Sequence, residues 1–182
     1  MKVTFWLLDV NYDVGDKGSE IWLWGVDSSG KRMLIVDRNF LAYFYAVVNE
    51  NADPSRVAKE IEAGHYSSVV KLEIVERRFF GKPVRAVKVY CKDPDVLPKY
   101  ARALRGLEGV SDCFEDDVRF SMRYLIDNNV VPCGWHEVEV TEEMPKMDVH
   151  VDNIYEARSK PKLLGKSDVP QLRIMGFTTV YY

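Results

Sequence analysis

The chain has 182 residues, 47% of them hydrophobic, 12% aromatic and 29% charged, which supplies a core for one or two small domains and excludes disorder as the dominant state. The same length leaves no room for a large multidomain enzyme complete with its catalytic parts. With 25 Lys and Arg against 28 Asp and Glu and a formal net charge of −3, the chain as a whole is not a basic nucleic-acid binder, although a local basic groove stays open.

The first third reads as strands separated by turns. Val3 to Tyr12 is rich in β-branched and aromatic residues, Gly15, Asp16, Lys17 and Gly18 supply turn chemistry, and Glu20 to Val26 resumes the aromatic run, which makes a β-hairpin. A second turn at Asp27-Ser28-Ser29-Gly30 leads to Arg32–Val36 and to the aromatic block Phe40–Val48, so a four-stranded meander is the economical expectation. From Asp53-Pro54-Ser55 the period changes. Val57, Ala58, Ile61 and Ala63 predict a short amphipathic helix ended at Gly64.

Val69–Phe79 and Val84–Cys91 read as two strands around the tight turn Gly81-Lys82-Pro83, with basic residues on one face. Asp93-Pro94 opens a second helix through Pro98, Ala101, Leu104 and Leu107 to Gly109, and Val110–Asp116 is another edge strand. With Tyr43–Val48 in front, the order becomes β-α-β-β-α-β, the split plan of ferredoxin-like and RNA-recognition folds. Phe120, Tyr124 and Leu125 then predict a short helix stopped at Pro132-Cys133-Gly134, and Glu137–Glu143 alternates as a strand. Met144–Val169, with Pro145, Lys146, Lys160, Pro161, Lys162 and Asp168, reads as a connector or an irregular hairpin. A last apolar strand runs from Leu172 to Tyr182, and with nothing after it to cover it, it fits a piece of something longer. The fold class is α+β, a β-rich first part around an RNA-recognition-like or ferredoxin-like βαββαβ unit.

Cys91, Cys113 and Cys133 match neither a disulfide framework nor paired zinc-ligand spacing, and read as reduced, mostly buried thiols of a cytoplasmic protein. The opening run Val3–Leu8 is too short and interrupted for a signal peptide, and no stretch approaches the ~18 apolar residues of a membrane span, so no membrane partner is expected. His65, His136 and His150 sit at no metal or nucleophile–base spacing. Phosphate-binding glycine loops, nucleophile elbows and H-E-x-x-H motifs are absent, so catalysis within this chain is not expected. The acidic run Glu115-Asp116-Asp117 reads as a solvated cap. The stretch from Glu76 to Arg85 interleaves Arg77, Arg78, Lys82 and Arg85 with Phe79 and Phe80, a mixture suited to phosphates and base stacking, while Phe79 could equally plug the core.

Three segments are shared in order with one family. Val36–Ala46, Arg78–Val84 and the run Phe120-Ser121-Met122-Arg123-Tyr124-Leu125-Ile126-Asp127-Asn128-Asn129-Val130-Val131-Pro132 resemble the amino-terminal region of archaeal family B DNA polymerases, and Leu7–Tyr12 fits that family's first strand. The resemblance extends from Leu7 to Phe177. It implies a non-catalytic front end that binds single-stranded template and recognises template uracil to stall replication, with a pocket at Tyr12, Tyr43, Pro94, Leu97 and Phe120. A flipped pyrimidine needs an apolar slot, and uracil differs from thymine by needing no room for a methyl. The same aromatic residues could instead pack a core. Phosphate contacts are expected from Arg77, Arg78, Lys82, Arg85, Arg102 and Arg119.

The sequence departs from the family at Ala42, where a proline is common, at Ala101, where an arginine faces phosphate, and at Arg119, which replaces a proline. Leu172–Phe177 resembles the strand into the first exonuclease motif, but Thr178 and Val180 stand where two acidic metal ligands belong, and neutral side chains cannot hold Mg²⁺ there. No cofactor is therefore expected in this chain, Mg²⁺ being needed only by a full-length polymerase. The expected organisation is a template-binding domain over residues 1–135, with the βαββαβ subdomain at about 43–116, and a connector plus the start of an exonuclease-like strand over 136–182. Expected partners are single-stranded DNA template and the remaining polymerase and exonuclease domains, in cis or in trans. Two alternatives have different signatures. A stand-alone docking or scaffold paralogue would bind a protein through the last strand, and an RNA-binding module would use the central sheet but lacks the signature aromatic octamer.

Overall fold

The computed structural model describes residues 1–15, 18–142 and 149–180. Ten strands and three helices are described: β1 (Lys2–Gly15), β2 (Gly18–Val26), β3 (Arg32–Asp37), β4 (Ala42–Val48), α1 (Pro54–Ala63), β5 (Val69–Phe79), β6 (Lys82–Cys91), α2 (Leu97–Leu104), β7 (Val110–Phe114), α3 (Phe120–Asn128), β8 (Trp135–Glu142), β9 (Asn153–Ala157) and β10 (Lys162–Leu163). They form two compact units, one of residues 1–11, 22–37 and 125–182, the other of residues 12–21 and 38–124. The expected residues Asp16, Lys17, Glu143, Met144, Pro145, Lys146 and Tyr182 lie outside the described residues.

The first unit is built on a sheet ordered β1-β2-β3-β9-β8-β10, in which β1 also pairs with β8. Lys2–Trp6 run antiparallel to Glu139–Trp135, and β3 runs parallel to β9 from Met33↔Asn153 to Val36↔Glu156. Strict alternation puts Trp6, Val26 and Trp135 in one cluster and Leu34, Val36 and Ile154 in another. His136, one residue after Trp135 and fully buried, lies with its ring centre 5.7 Å from that of Phe5. Its Nδ1 donates to the Gly134 carbonyl at 3.0 Å and its Nε2 accepts from the Val131 N–H at 3.3 Å, so the ring is satisfied as a neutral tautomer.

The second unit contains the βαββαβ plan. Its sheet is ordered β5-β6-β4-β7 with every pair antiparallel, and α1 packs on β5 and β6 while α2 packs on β4 and β7. α1 starts where expected, because Asp53 accepts the Ser55 N–H at 3.0 Å and Pro54 takes the first helical position. Cys91 and Cys113 lie inside this unit, and burial pushes both thiols up to about 12.

Four expectations are corrected and one is narrowed. The four-stranded meander stops at three strands, because β4 leaves to become the centre of the second sheet. Ala42, Phe44 and Ala46 on one face and Tyr43 on the other are all buried, and a strand covered on both faces needs neighbours on both edges. The second helix is shorter than expected: a 3-10 turn covers Pro94–Val96, α2 ends at Leu104, and turn bonds such as Leu107 N–H to the Leu104 carbonyl replace its last turn. Arg85 and Lys88 point to opposite faces of β6, since they lie an odd number of residues apart. Of the expected connector or irregular hairpin, the hairpin is nearer: β9 pairs antiparallel with β8, and β10 forms a second short pairing with β8. Residues 172–180 form no strand; Ile174 and Phe177 are 90% and 84% exposed, and no described strand offers them a hydrogen-bonding partner.

Candidate functional site

Every residue expected to touch nucleic acid falls in the second unit. Alternation along β4 sends Phe44, Ala46 and Val48 toward the helices and Tyr43 and Tyr45 to the opposite, outer face. There Tyr43 is opposite Tyr90 and Tyr45 is opposite Lys88. The Lys88 ammonium lies 3.5 Å from the Tyr43 ring centre and 4.7 Å from that of Tyr90, and the Arg77 guanidinium lies 5.3 Å from that of Tyr45. These are cation–π distances. Tyr90 donates to Glu73 at 2.9 Å; burial first and that carboxylate second push its phenol up to about 12.

Residues far apart in the chain meet beside this face. The Tyr12 ring stands edge-on to Phe120 with centroids 5.4 Å apart, and Phe40 stacks on the same Phe120 ring at 5.4 Å. The Tyr12 hydroxyl donates to Asp95 at 2.9 Å, which ties the strand to the Pro94–Val96 turn. That bond, more than burial, raises the Tyr12 phenol above its ordinary value. Asp93 holds the turn by accepting the Asp95 N–H at 2.8 Å, and Leu97, the first residue of α2, is buried. Tyr12 and Phe120 are therefore in ring contact, Pro94 is joined to Tyr12 through Asp95, and Tyr43 belongs to the neighbouring sheet face.

Arg123 connects to that face. It lies one turn after Phe120 on α3, and its guanidinium carbon is 4.1 Å from the Tyr43 ring centre. Its Nη1 donates to the Glu115 carboxylate at 2.8 Å and its Nη2 to the Glu115 carbonyl at 2.9 Å. Burial works against the charged form, but Glu115 and Tyr43 outweigh it and the guanidinium is held above its ordinary value. Its Nε is buried without a hydrogen-bond partner. Glu115 itself sits at φ 65°, a left-handed conformation uncommon outside glycine.

The expected phosphate contacts divide by location. Arg77, Arg78, Lys82 and Arg85 are on the β5–β6 hairpin, Arg102 is exposed on α2, and Arg119 precedes α3. Arg85 already donates to the carbonyls of Glu50 at 2.6 Å and Ala52 at 3.1 Å. Ala42 and Ala101 are buried, so neither presents a side chain to a ligand. The acidic run is no solvated cap. Glu115 holds Arg123, and Asp116 accepts from Arg105 at 3.1 Å, an arginine that also pairs with Asp112 at 2.8 Å. Sequence reasoning missed Phe40, Asp95 and Arg123. The signal for Arg123 was its i+3 spacing from Phe120 on a helix; Asp95 and Phe40 gave none, because their partners are remote in the chain. Among the described residues no group of three or more His, Cys, Asp or Glu side chains is placed to hold a metal ion, and no helix is long and apolar enough to cross a membrane.

Residues 111–179 match the family of the DNA polymerase family B exonuclease domain. DNA polymerase 2 of Aeropyrum pernix is 31% identical over 186 residues, covering 99% of this chain and 23% of that protein, and the DNA polymerase of Pyrococcus glycovorans is 29% identical over 82% of this chain and 19% of its own length. The solved family B DNA polymerase of the hyperthermophilic archaeon Pyrobaculum calidifontis superposes with a TM-score of 0.78 and 36% identity over 93% of this chain and 21% of that one. The chain thus spans about a quarter or less of the relatives it matches. Sequence and fold agree over nearly all of its length: the chain corresponds to the N-terminal domain of the archaeal family B DNA polymerases.

Proposed function

We propose that this chain holds single-stranded template DNA for a family B polymerase and takes a template uracil between Tyr12, Tyr43, Pro94, Leu97 and Phe120. It makes and breaks no bond itself; polymerisation and proofreading belong to other domains, in cis or in trans. The observation that supports the reading is that Tyr12 bridges two places remote from it in the chain, its ring meeting Phe120 and its hydroxyl bonding Asp95 of the Pro94–Val96 turn. Leu97, Phe120 and Tyr43 are nearly closed to solvent, so a base reaches them from the side of the half-buried Tyr12 and Phe40. Arg119 precedes Phe120 and is exposed, which suits a phosphate next to the captured nucleotide.

The division of labour that goes with this reading assigns template binding to residues 1–135 and a connecting role to 136–182. Fluorescence anisotropy with two labelled single-stranded oligomers that differ in one uracil or thymine, at fixed moderate salt, tests it. Excluding a methyl by shape is worth about tenfold or somewhat more, so uracil binds about tenfold tighter, and Tyr12→Ala abolishes the preference. Equal affinities would leave a template cradle without a pocket.

A second reading is favoured by residues 172–180, where Ile174, Met175 and Phe177 are exposed together. Such an apolar stretch suits docking against a protein surface. A chain that binds no oligomer, but associates through this stretch in a way that Phe177→Asp disrupts, would establish the docking scaffold instead.

A further inference from the structure

The β5–β6 hairpin ends in a residue that the fold does not use for packing. Phe80 is 91% exposed and lies against Phe79 at 4.6 Å between ring centres. Its φ is 46°, followed by Gly81 at 81°, a pair of left-handed residues that hairpin turns normally fill with Asn-Gly or Gly-Gly. A bulky aromatic side chain adopts this conformation at a cost. Burial of the ring does not offset it, so stability does not account for a phenylalanine here.

Its neighbour Phe79 is 41% exposed but makes a contact across the sheet. Phe79 lies 4.4 Å from Phe114 between ring centres, although β5 and β7 are the two edge strands of the sheet. The distal hairpin must therefore curl across the outer face, with Phe79 as its anchor. Arg85 fixes the returning strand through its bonds to the Glu50 and Ala52 carbonyls, and Arg77 lies over Tyr45. The result is an anchored tip that presents one free aromatic face. Residues 76–85 carry four cations, Arg77, Arg78, Lys82 and Arg85, against the single carboxylate of Glu76.

We propose that Phe80 is a base-stacking contact for single-stranded DNA, with Arg78 and Lys82 taking the flanking phosphates. An exposed ring among cations has the chemistry of a sequence-tolerant single-strand site: the ring takes the π-face of any base and the cations take the backbone. This contact is separate from the Tyr12–Phe120 cluster and does not tell uracil from thymine. It rests on the reading of the chain as a template binder.

The test uses the 182-residue chain and its Phe80→Asn variant. Asparagine suits the left-handed turn position, so the melting temperature is unchanged or higher, and a loss of binding is not a loss of fold. Anisotropy is measured with a labelled oligo-dT and with an oligomer of equal length made of abasic sites, at one fixed salt concentration. The wild-type chain binds oligo-dT more tightly than the abasic oligomer. Phe80→Asn weakens oligo-dT binding about tenfold and leaves abasic binding unchanged, while Phe80→Trp keeps the wild-type affinity. Equal oligo-dT affinity of Phe80→Asn and wild type would overturn the stacking contact and leave template binding intact. Loss of uracil preference with the Phe80 effect intact would remove the pocket alone, and a wild-type chain that binds neither oligomer would overturn both.

Discussion

The guanidinium of Arg123 lies 4.1 Å over the Tyr43 ring, with only 5% of the residue reaching solvent. A cation so enclosed persists only when it is paired and hydrogen-bonded, and here an aromatic face, a carboxylate and a carbonyl share the task. It joins α3 to the outer face of the sheet and, through Glu115, to the end of β7. Removing it as Arg123→Leu costs about 1–3 kcal/mol, read by urea denaturation. Arg123→Lys also destabilises, because an ammonium cannot stack and donate twice to Glu115 in one geometry. A lysine variant as stable as wild type would show that charge alone matters.

The Tyr12–Asp95 bond is separable from the Tyr12–Phe120 ring contact. Tyr12→Phe keeps the ring and loses about 1 kcal/mol or less, whereas Tyr12→Ala loses the aromatic contact as well and costs more. The negative Asp95 disfavours the phenolate, so Asp95→Asn brings the Tyr12 titration back toward its ordinary value. Ring-carbon NMR of labelled tyrosine follows that titration. An unchanged midpoint would assign the shift to burial.

Acid sensitivity should come first from His136. Burial lowers its pKa below the ordinary 6.5, against a smaller opposing effect of the Gly134 carbonyl. The folded chain keeps the ring neutral while the unfolded chain takes up a proton. Its contribution to stability is therefore complete above about pH 6.5 and is lost as pH falls toward the folded value. Denaturation at pH 7.5 and 5.0 reads the loss, and His136→Gln flattens the slope in that interval. The carboxylates held low by partners, such as Asp112 and Asp152, add their loss only at more acidic pH.

Gly25 is a packing requirement of the first unit. A Cβ there would meet Phe5 Cδ2 and the Trp6 carbonyl oxygen, both at 2.7 Å, and the carbonyl belongs to a paired strand that cannot retreat. Gly25→Ala is expected to cost about 1–3 kcal/mol, measured by thermal unfolding, whereas alanine at Gly165, which has open space around it, leaves stability nearly unchanged.

The parts of the fold legible in the sequence are those set by local pattern. β5 occupies Val69–Phe79 as its strand-like run predicts, α1 starts at its Asp-Pro cap, and the order of elements is enough for the split sheet plan. Parallel pairing is not local: β9 is five residues long and is fixed by β3, more than a hundred positions earlier. The exposed 172–180 segment shows the converse error, since strand-like composition produces no strand without a neighbour to pair with. At the site, the family resemblance pointed to Tyr12, Tyr43 and Phe120, whereas Arg123 had only its i+3 spacing from Phe120, and its partner Glu115 lies before the helix, beyond the end of β7.

On the proposed function, template DNA engages the second unit where Tyr12 meets Phe120. Amide NMR titration of the isotope-labelled chain with a uracil-containing single strand tests it most directly. Binding there gives the largest shifts at Tyr12, Asp95, Leu97, Phe120 and Arg123, and smaller ones when thymine replaces uracil. Shifts confined to residues 1–11, 22–37 and 125–180, with these five unmoved under saturating oligomer, would contradict it.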